Sequence, residues 1–178
     1  MAFERIGGED IWEGRIAKVR VDRFRYDDGE EAEREIVEHP DAVGIVAHDG
    51  EIVYLVRQPR EPVGEDALLE LPAGKLDEEG EKPLDTAQRD LAEEIGKGAR
   101  TWQHLTSFYT SPGFTDEKCH LFMGTDLYDE KADTDENERI EIVEWPLAEL
   151  DNAIRDSSDA KTLVGLLWLR AFLCSTKG

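Results

Sequence analysis

The chain has 178 residues, and its 42 Asp and Glu against 21 Lys and Arg leave a formal net charge of −21. That length suits one domain with at most a small appendage, and a hydrophobic share of 39% is enough for a real core rather than wholesale disorder. So negative a surface argues against nucleic-acid phosphates and against an anionic membrane face, since both need a Lys/Arg surface; it also suits a salt-rich cytoplasm. Cys119 and Cys174 are far apart and read as free thiols of a reducing compartment. Met1 to Asp10 lacks the apolar stretch of a secretory signal. The longest apolar run, Leu163 to Cys174, is broken by Arg170 and falls short of the roughly 20 residues of a bilayer span. A soluble cytoplasmic protein is expected.

In chain order, Arg15 to Tyr26 mixes β-branched, aromatic and cationic residues and stops at Asp27-Asp28-Gly29, a hairpin signal, with the return strand running through Glu33 to His39. This hairpin is polar on both faces and needs a partner surface, for which a second subunit would serve. A second hairpin pairs Ala42–Ala47 with Ile52–Val56 around Asp49-Gly50. Pro83 to Ile95 predicts a helix: Pro at the first turn, a stripe of Leu84, Ala87, Leu91 and Ile95, and Gly96 to end it. Strands follow at Trp102–Tyr109 and Lys118–Met123 around a Ser111-Pro112-Gly113 turn, then an acidic loop from Asp129 to Glu138, a strand over Ile140–Trp145, and helical spacing from Leu147 with a last helix near Lys161–Leu173. Because hairpins join the early strands, a mixed sheet flanked by helices is expected.

On the helix, Asp90, Glu93 and Glu94 share the face opposite the apolar stripe. Oxygen donors so spaced suit a hard cation such as Mg²⁺, although the spacing alone fits a solvated acidic face better. The surroundings favour the first. Leu69-Glu70-Leu71-Pro72-Ala73-Gly74-Lys75, then Gly80-Glu81, then Arg89-Asp90-Leu91-Ala92-Glu93-Glu94-Ile95-Gly96 resembles the Nudix box, a loop-helix-loop that binds metal. Three features depart from it: an extra residue in the loop Asp77–Gly80, aspartate rather than glutamate at Asp90, and Lys97 at a position usually apolar.

Outside the box the chain resembles the ADP-ribose pyrophosphatase branch of that family, through Gly14-Arg15, Glu38-His39-Pro40, Val56-Arg57-Gln58-Pro59-Arg60, Ser111-Pro112-Gly113-Phe114-Thr115-Asp116-Glu117 and Asp135-Glu136-Asn137-Glu138. The resemblance implies an α+β fold, a Nudix α/β/α sandwich with a mixed sheet. It also implies a small N-terminal antiparallel sheet, residues 1–40 for dimerisation and 41–178 for the hydrolase domain. Mg²⁺, or Mn²⁺, would be held by Ala73 (through its carbonyl), Asp90, Glu93 and Glu94, with Glu136, or Glu138, as general base. Arg89 would pair structurally with Glu81. Arg57, Arg60, Glu70, Gly113, Glu117 and Arg15 are the expected substrate contacts, with Trp12 and Arg15 as candidates to stack on adenine. The expected reaction is hydrolysis of ADP-ribose to AMP and ribose 5-phosphate by a homodimer. The alternatives are another substrate (a nucleotide sugar, a dinucleotide or FAD) and a module that binds ADP-ribose without cleaving it.

Overall fold

Ala42 to His48 is buried at every position, and such a strand must have an apolar layer on each side. The computed structural model, which describes residues 2–77, 80–132 and 139–175, supplies both. The chain divides into two compact units, Met1–Asp41 with Phe108–Lys118, and Ala42–Ser107 with Cys119–Gly178.

The first unit is built on a three-stranded antiparallel sheet of β1 (Phe3–Glu13), β2 (Lys18–Tyr26) and β3 (Glu31–Glu38), in that order. The β2–β3 hairpin turns where Asp-Gly predicted, with Gly29 at φ +87°. The sequence did not announce β1: its register slips between Arg5 and Gly7 and again between Asp10 and Trp12, so no simple period-2 pattern runs along it. Polar strands cohere here through cross-strand charge. Asp22 is fully buried and takes Arg5 at 2.8 Å and Arg20 at 3.0 Å, and a β-carbon at Gly8 would occupy the place of its carboxylate. The segment Phe108–Lys118 closes onto this unit through Val37 N–H to the Phe114 carbonyl (2.8 Å) and His39 N–H to Asp116 Oδ1 (3.1 Å).

The second unit holds a seven-stranded mixed sheet among the described residues. Its path is β10 (Glu141–Pro146), β5 (Ile52–Arg60), β4 (Ala42–His48), β9 (Lys118–Asp129), β8 (Lys97–Tyr109). Short β6 (Glu65–Glu70) pairs with β5, and β7 (Ala73–Lys75) with β4. In the registers resolved, β4–β9 is parallel and the others are antiparallel. Successive residues of β4 point to opposite faces. Val43, Ile45 and Ala47 pack with Ala87, Leu91 and Ile95 of α1 (Pro83–Ile95). On the other face, Gly44 and Val46 meet Lys161 and Gly165 of α3 (Ala160–Ser175), with α2 (Leu150–Asp156) beside it. The result is the α/β/α sandwich with a small antiparallel sheet that the sequence led us to expect.

The helix α1 has the bounds read from its sequence: Pro83 opens it, and Gly96, at φ +67°, ends it with its N–H on the Ala92 carbonyl. The strands run longer than expected. β8 starts at Lys97 rather than Trp102, β9 continues to Asp129, and β5 reaches Arg60 through a register break at Pro59, which has no N–H for a ladder. No helix among the described residues is long and apolar enough to cross a membrane.

At the end of β4, His48 is buried with neither ring nitrogen hydrogen-bonded. Burial holds its pKa below the usual 6.5, only partly countered by Asp49. A base with a lowered folded pKa makes the fold lose stability as pH falls below its unfolded value. Urea unfolding of the His48→Phe variant is therefore expected to show a smaller loss between pH 7 and 5 than the wild type; equal slopes would contradict this.

Candidate active site

The loop-helix junction is organised by Arg89. Its guanidinium reaches Glu81 Oε2 (Nη1, 3.3 Å), Asp90 Oδ1 (Nε, 3.2 Å) and Glu93 Oε2 (Nε, 4.0 Å), so it does join the helix to Glu81 as the box resemblance implies. Asp90 is only 6% exposed. Its Oδ1 accepts from Arg89, while its Oδ2 is buried without a hydrogen bond. Gly74 makes this possible, because a β-carbon there would fall on Asp90 Oδ2. Desolvation pushes the Asp90 pKa up to about 6, against the pull of Arg89. One turn on, Glu94 Oε2 accepts the Ala73 N–H at 3.2 Å. β7 thus lies along the carboxylate flank of α1, and Ala73, Asp90 and Glu94 come together.

Among the described residues, no three His, Cys, Asp or Glu side chains converge closely enough to hold a metal by themselves. The donors nevertheless fit a hard divalent cation. They are oxygens, they carry excess negative charge, and one is a buried carboxylate oxygen with no proton donor, an arrangement a cation would satisfy.

Arg60 and Glu70, both expected to touch substrate, are brought together as a bidentate pair: Nε to Oε1 at 2.6 Å and Nη2 to Oε2 at 2.8 Å. Glu70 is 1% exposed, whereas the Arg60 side chain is 40% exposed. The hydrogen bond to Glu70 and the charges of Glu70, Glu94 and Asp159 hold the Arg60 pKa above its ordinary value despite burial, so Arg60 lies in the field of Glu94 on α1. Behind Glu70 stands Lys161, whose Nζ is 3.9 Å from Glu70 Oε2 and 2.8 Å from Asp159 Oδ1. Sequence reading missed Lys161 and Asp159, which lie some ninety residues from Glu70 in the chain and belong to no motif. Arg57 lies on β5, opposite Leu69 and Glu141, and has no hydrogen bond to Glu70.

The remaining expected contacts lie in the first unit. Glu117 takes the Thr110 hydroxyl at 2.6 Å and approaches His39 Nδ1 at 3.4 Å. Gly113 sits in an open turn, and Arg15 is exposed in the bend between β1 and β2. The same unit carries a cleft of about 450 Å³ lined by Phe3, Phe24, Tyr26, Phe114, Arg20 and Arg34. Rings and guanidinium planes of this kind suit a flat ligand. Glu136 and Glu138 lie outside the described residues.

This geometry has counterparts. The family model described as NUDIX domain matches residues 38–165. The chain is 39% identical over 171 residues to the ADP-ribose pyrophosphatase of Bacillus subtilis (strain 168), covering 93% of this chain and 91% of that protein. It is also 39% identical over 167 residues to the methanol dehydrogenase activator of Bacillus methanolicus, covering 91% and 89%. A solved structure titled as an ADP compounds hydrolase superposes with a TM-score of 0.88 at 25% identity, covering 99% of this chain and 96% of that one. The chain belongs to the Nudix family. It is a Nudix hydrolase, of a family whose members use divalent metal ions.

An acid with a raised folded pKa weakens the metal-free fold as pH rises through that value, here from about 4 to about 6. The change is on the order of 3 kcal/mol. Asp90→Asn is therefore expected to raise the melting temperature of the metal-free protein at pH 8 and to abolish the further rise that a divalent cation gives the wild type. A variant that is no more stable, or that still responds to the cation, would count against Asp90 as an unmatched buried charge.

Proposed function

We propose that this Nudix hydrolase cleaves the diphosphate of ADP-ribose, giving AMP and ribose 5-phosphate, with Mg²⁺, or Mn²⁺ in its place. The observation that carries the reading is the buried, unpaired Oδ2 of Asp90 over Gly74, one helical turn from Glu94. Similarity over nearly the whole chain to a protein named ADP-ribose pyrophosphatase supports the substrate.

In this reading Asp90, Glu93, Glu94 and the Ala73 carbonyl hold the cations. When bound, these neutralise charge on the diphosphate and make water more acidic. Arg89 ties Glu81 to Asp90 and Glu93 and so keeps the helix and its loop in one arrangement. Arg60 presents to the diphosphate the part of its guanidinium that Glu70 leaves uncommitted. Glu136, with Glu138 as the alternative, takes a proton from the attacking water. That water's oxygen bonds to one phosphorus, the bond from phosphorus to the bridging oxygen breaks, and the two phosphate monoesters separate. Arg57, Arg15, Gly113 and Glu117 are assigned to substrate binding.

A homodimer built on the N-terminal sheet, residues 1–40, completes the proposal. Phe3, Ile11, Trp12 and Ile16 of the first unit are large and exposed, and covering them would remove an apolar surface from water. The cytoplasm, where nucleotides are turned over, is the proposed location.

AMP release from ADP-ribose with Mg²⁺ is expected to exceed release from ADP-glucose, NADH and FAD, and Glu94→Gln is expected to lower turnover by roughly 10²-fold or more. Quantifying AMP by chromatography decides it. Equal turnover of the panel would remove ADP-ribose as the preferred substrate, tight binding without AMP would make the protein a binding module, and an active Glu94→Gln would remove the metal assignment.

A further inference from the structure

The backbone on either side of Glu70 is fastened to the C-cap of α2 and the first turn of α3. Before it, the Leu69 carbonyl accepts from Ser157 Oγ at 3.1 Å; after it, the Leu71 N–H donates to Thr162 Oγ1 at 2.8 Å. Thr162 is itself held by Asp159, which accepts its N–H at 2.9 Å and its hydroxyl at 2.7 Å as the cap of the helix. The side chains repeat this connection. Arg60, Glu70, Lys161 and Asp159 form a line of alternating charge, each within 4 Å of the next.

Two cations and two anions leave the line neutral, and the order decides what Arg60 can do. With Arg60 as its only neighbour, a carboxylate as buried as Glu70 would claim the whole guanidinium charge, since a buried charge left unmatched costs several kcal/mol. Lys161 supplies a second cation on the inner side, and Asp159 in turn keeps Lys161 charged despite its burial. Arg60 is then fixed along its Nε and Nη2 edge, while Nη1 has no hydrogen bond to any described residue. A half-exposed arginine so braced is preorganised for an anion.

We infer that Lys161 and Asp159 are positioning residues which, through Glu70, hold Arg60 as the diphosphate-binding group of this site. The inference rests on the hydrolase reading given above and adds to it two residues that touch no substrate.

Steady-state kinetics on ADP-ribose with the full-length wild type, Lys161→Met, Lys161→Arg, Arg60→Ala and the double variant Lys161→Met/Arg60→Ala test it. Lys161→Met is expected to raise KM about tenfold while lowering kcat less than about threefold, the signature of lost ground-state binding. Lys161→Arg should bring KM back to within about threefold of wild type. In the Arg60→Ala background Lys161→Met should change KM no further, because the two act through one contact. An unchanged KM in Lys161→Met, an additive double variant, or a fall confined to kcat would each overturn the inference. Asp159→Asn, which keeps the shape of the helix cap, substitutes for Lys161→Met if circular dichroism shows that variant unfolded, and carries the same expectations.

One readout is independent of turnover. The Arg60 Nε–H, which donates to Glu70, should exchange with solvent at least about tenfold faster in Lys161→Met than in wild type by nitrogen-edited NMR. Faster exchange in a protein that does not cleave ADP-ribose would leave the bracing of Arg60 standing and bring down the hydrolase reading alone. Equal exchange would bring down the bracing whatever the activity.

Discussion

A carboxylate taken out of water has to meet a cation or carry a proton, and this protein does the first at one place and leaves the second open at another. Glu70 and Asp90 are both buried in the layers around the mixed sheet. Glu70 is matched by a guanidinium and an ammonium fixed by the fold itself. Asp90 receives one edge of Arg89 and nothing on its other oxygen. The difference is between a carboxylate whose charge the fold itself matches and one whose second oxygen the fold leaves unmatched.

The alternation of β4 sets the two helices on opposite faces of the sheet. Residues of one parity pack against α1, which carries Asp90 and Glu94, and those of the other parity pack against α3, whose first turn carries Lys161. Glycine at position 165 lets α3 approach Val46 and Leu71, and glycine at position 74 lets the carboxylate of α1 approach β7. Neither requirement concerns backbone freedom. Both are about the space a methyl group would take, so each helix is set at the depth its polar residues need.

Much of this was legible in the residues. The α1 boundaries follow from Pro83, the apolar stripe and Gly96, because a helix carries its own punctuation. The pairing of Arg89 with Glu81 and the approach of Ala73 to Glu94 came from a motif whose spacing encodes geometry. β1 was not legible, since its register slips hide the period-2 signal, and neither were the full lengths of β8 and β9, whose apolar runs are diluted by polar residues. Lys161 and Asp159 were invisible for another reason: a cation and an anion near a helix start are ordinary surface residues until the fold sets a buried glutamate between them and Arg60. Contacts made across ninety residues leave no local trace.

The junction after α1 has no slack. Gly96 reverses the backbone in a single residue, and Lys97 already belongs to β8. The helix is therefore geared directly to the sheet at its C-terminal end. One residue added at that junction would have to turn the helix by about 100° or shift it by about 1.5 Å, swinging the Arg89, Asp90 and Glu94 face away from β7 altogether. The exit of α1 is thus fixed in register with the strand that follows.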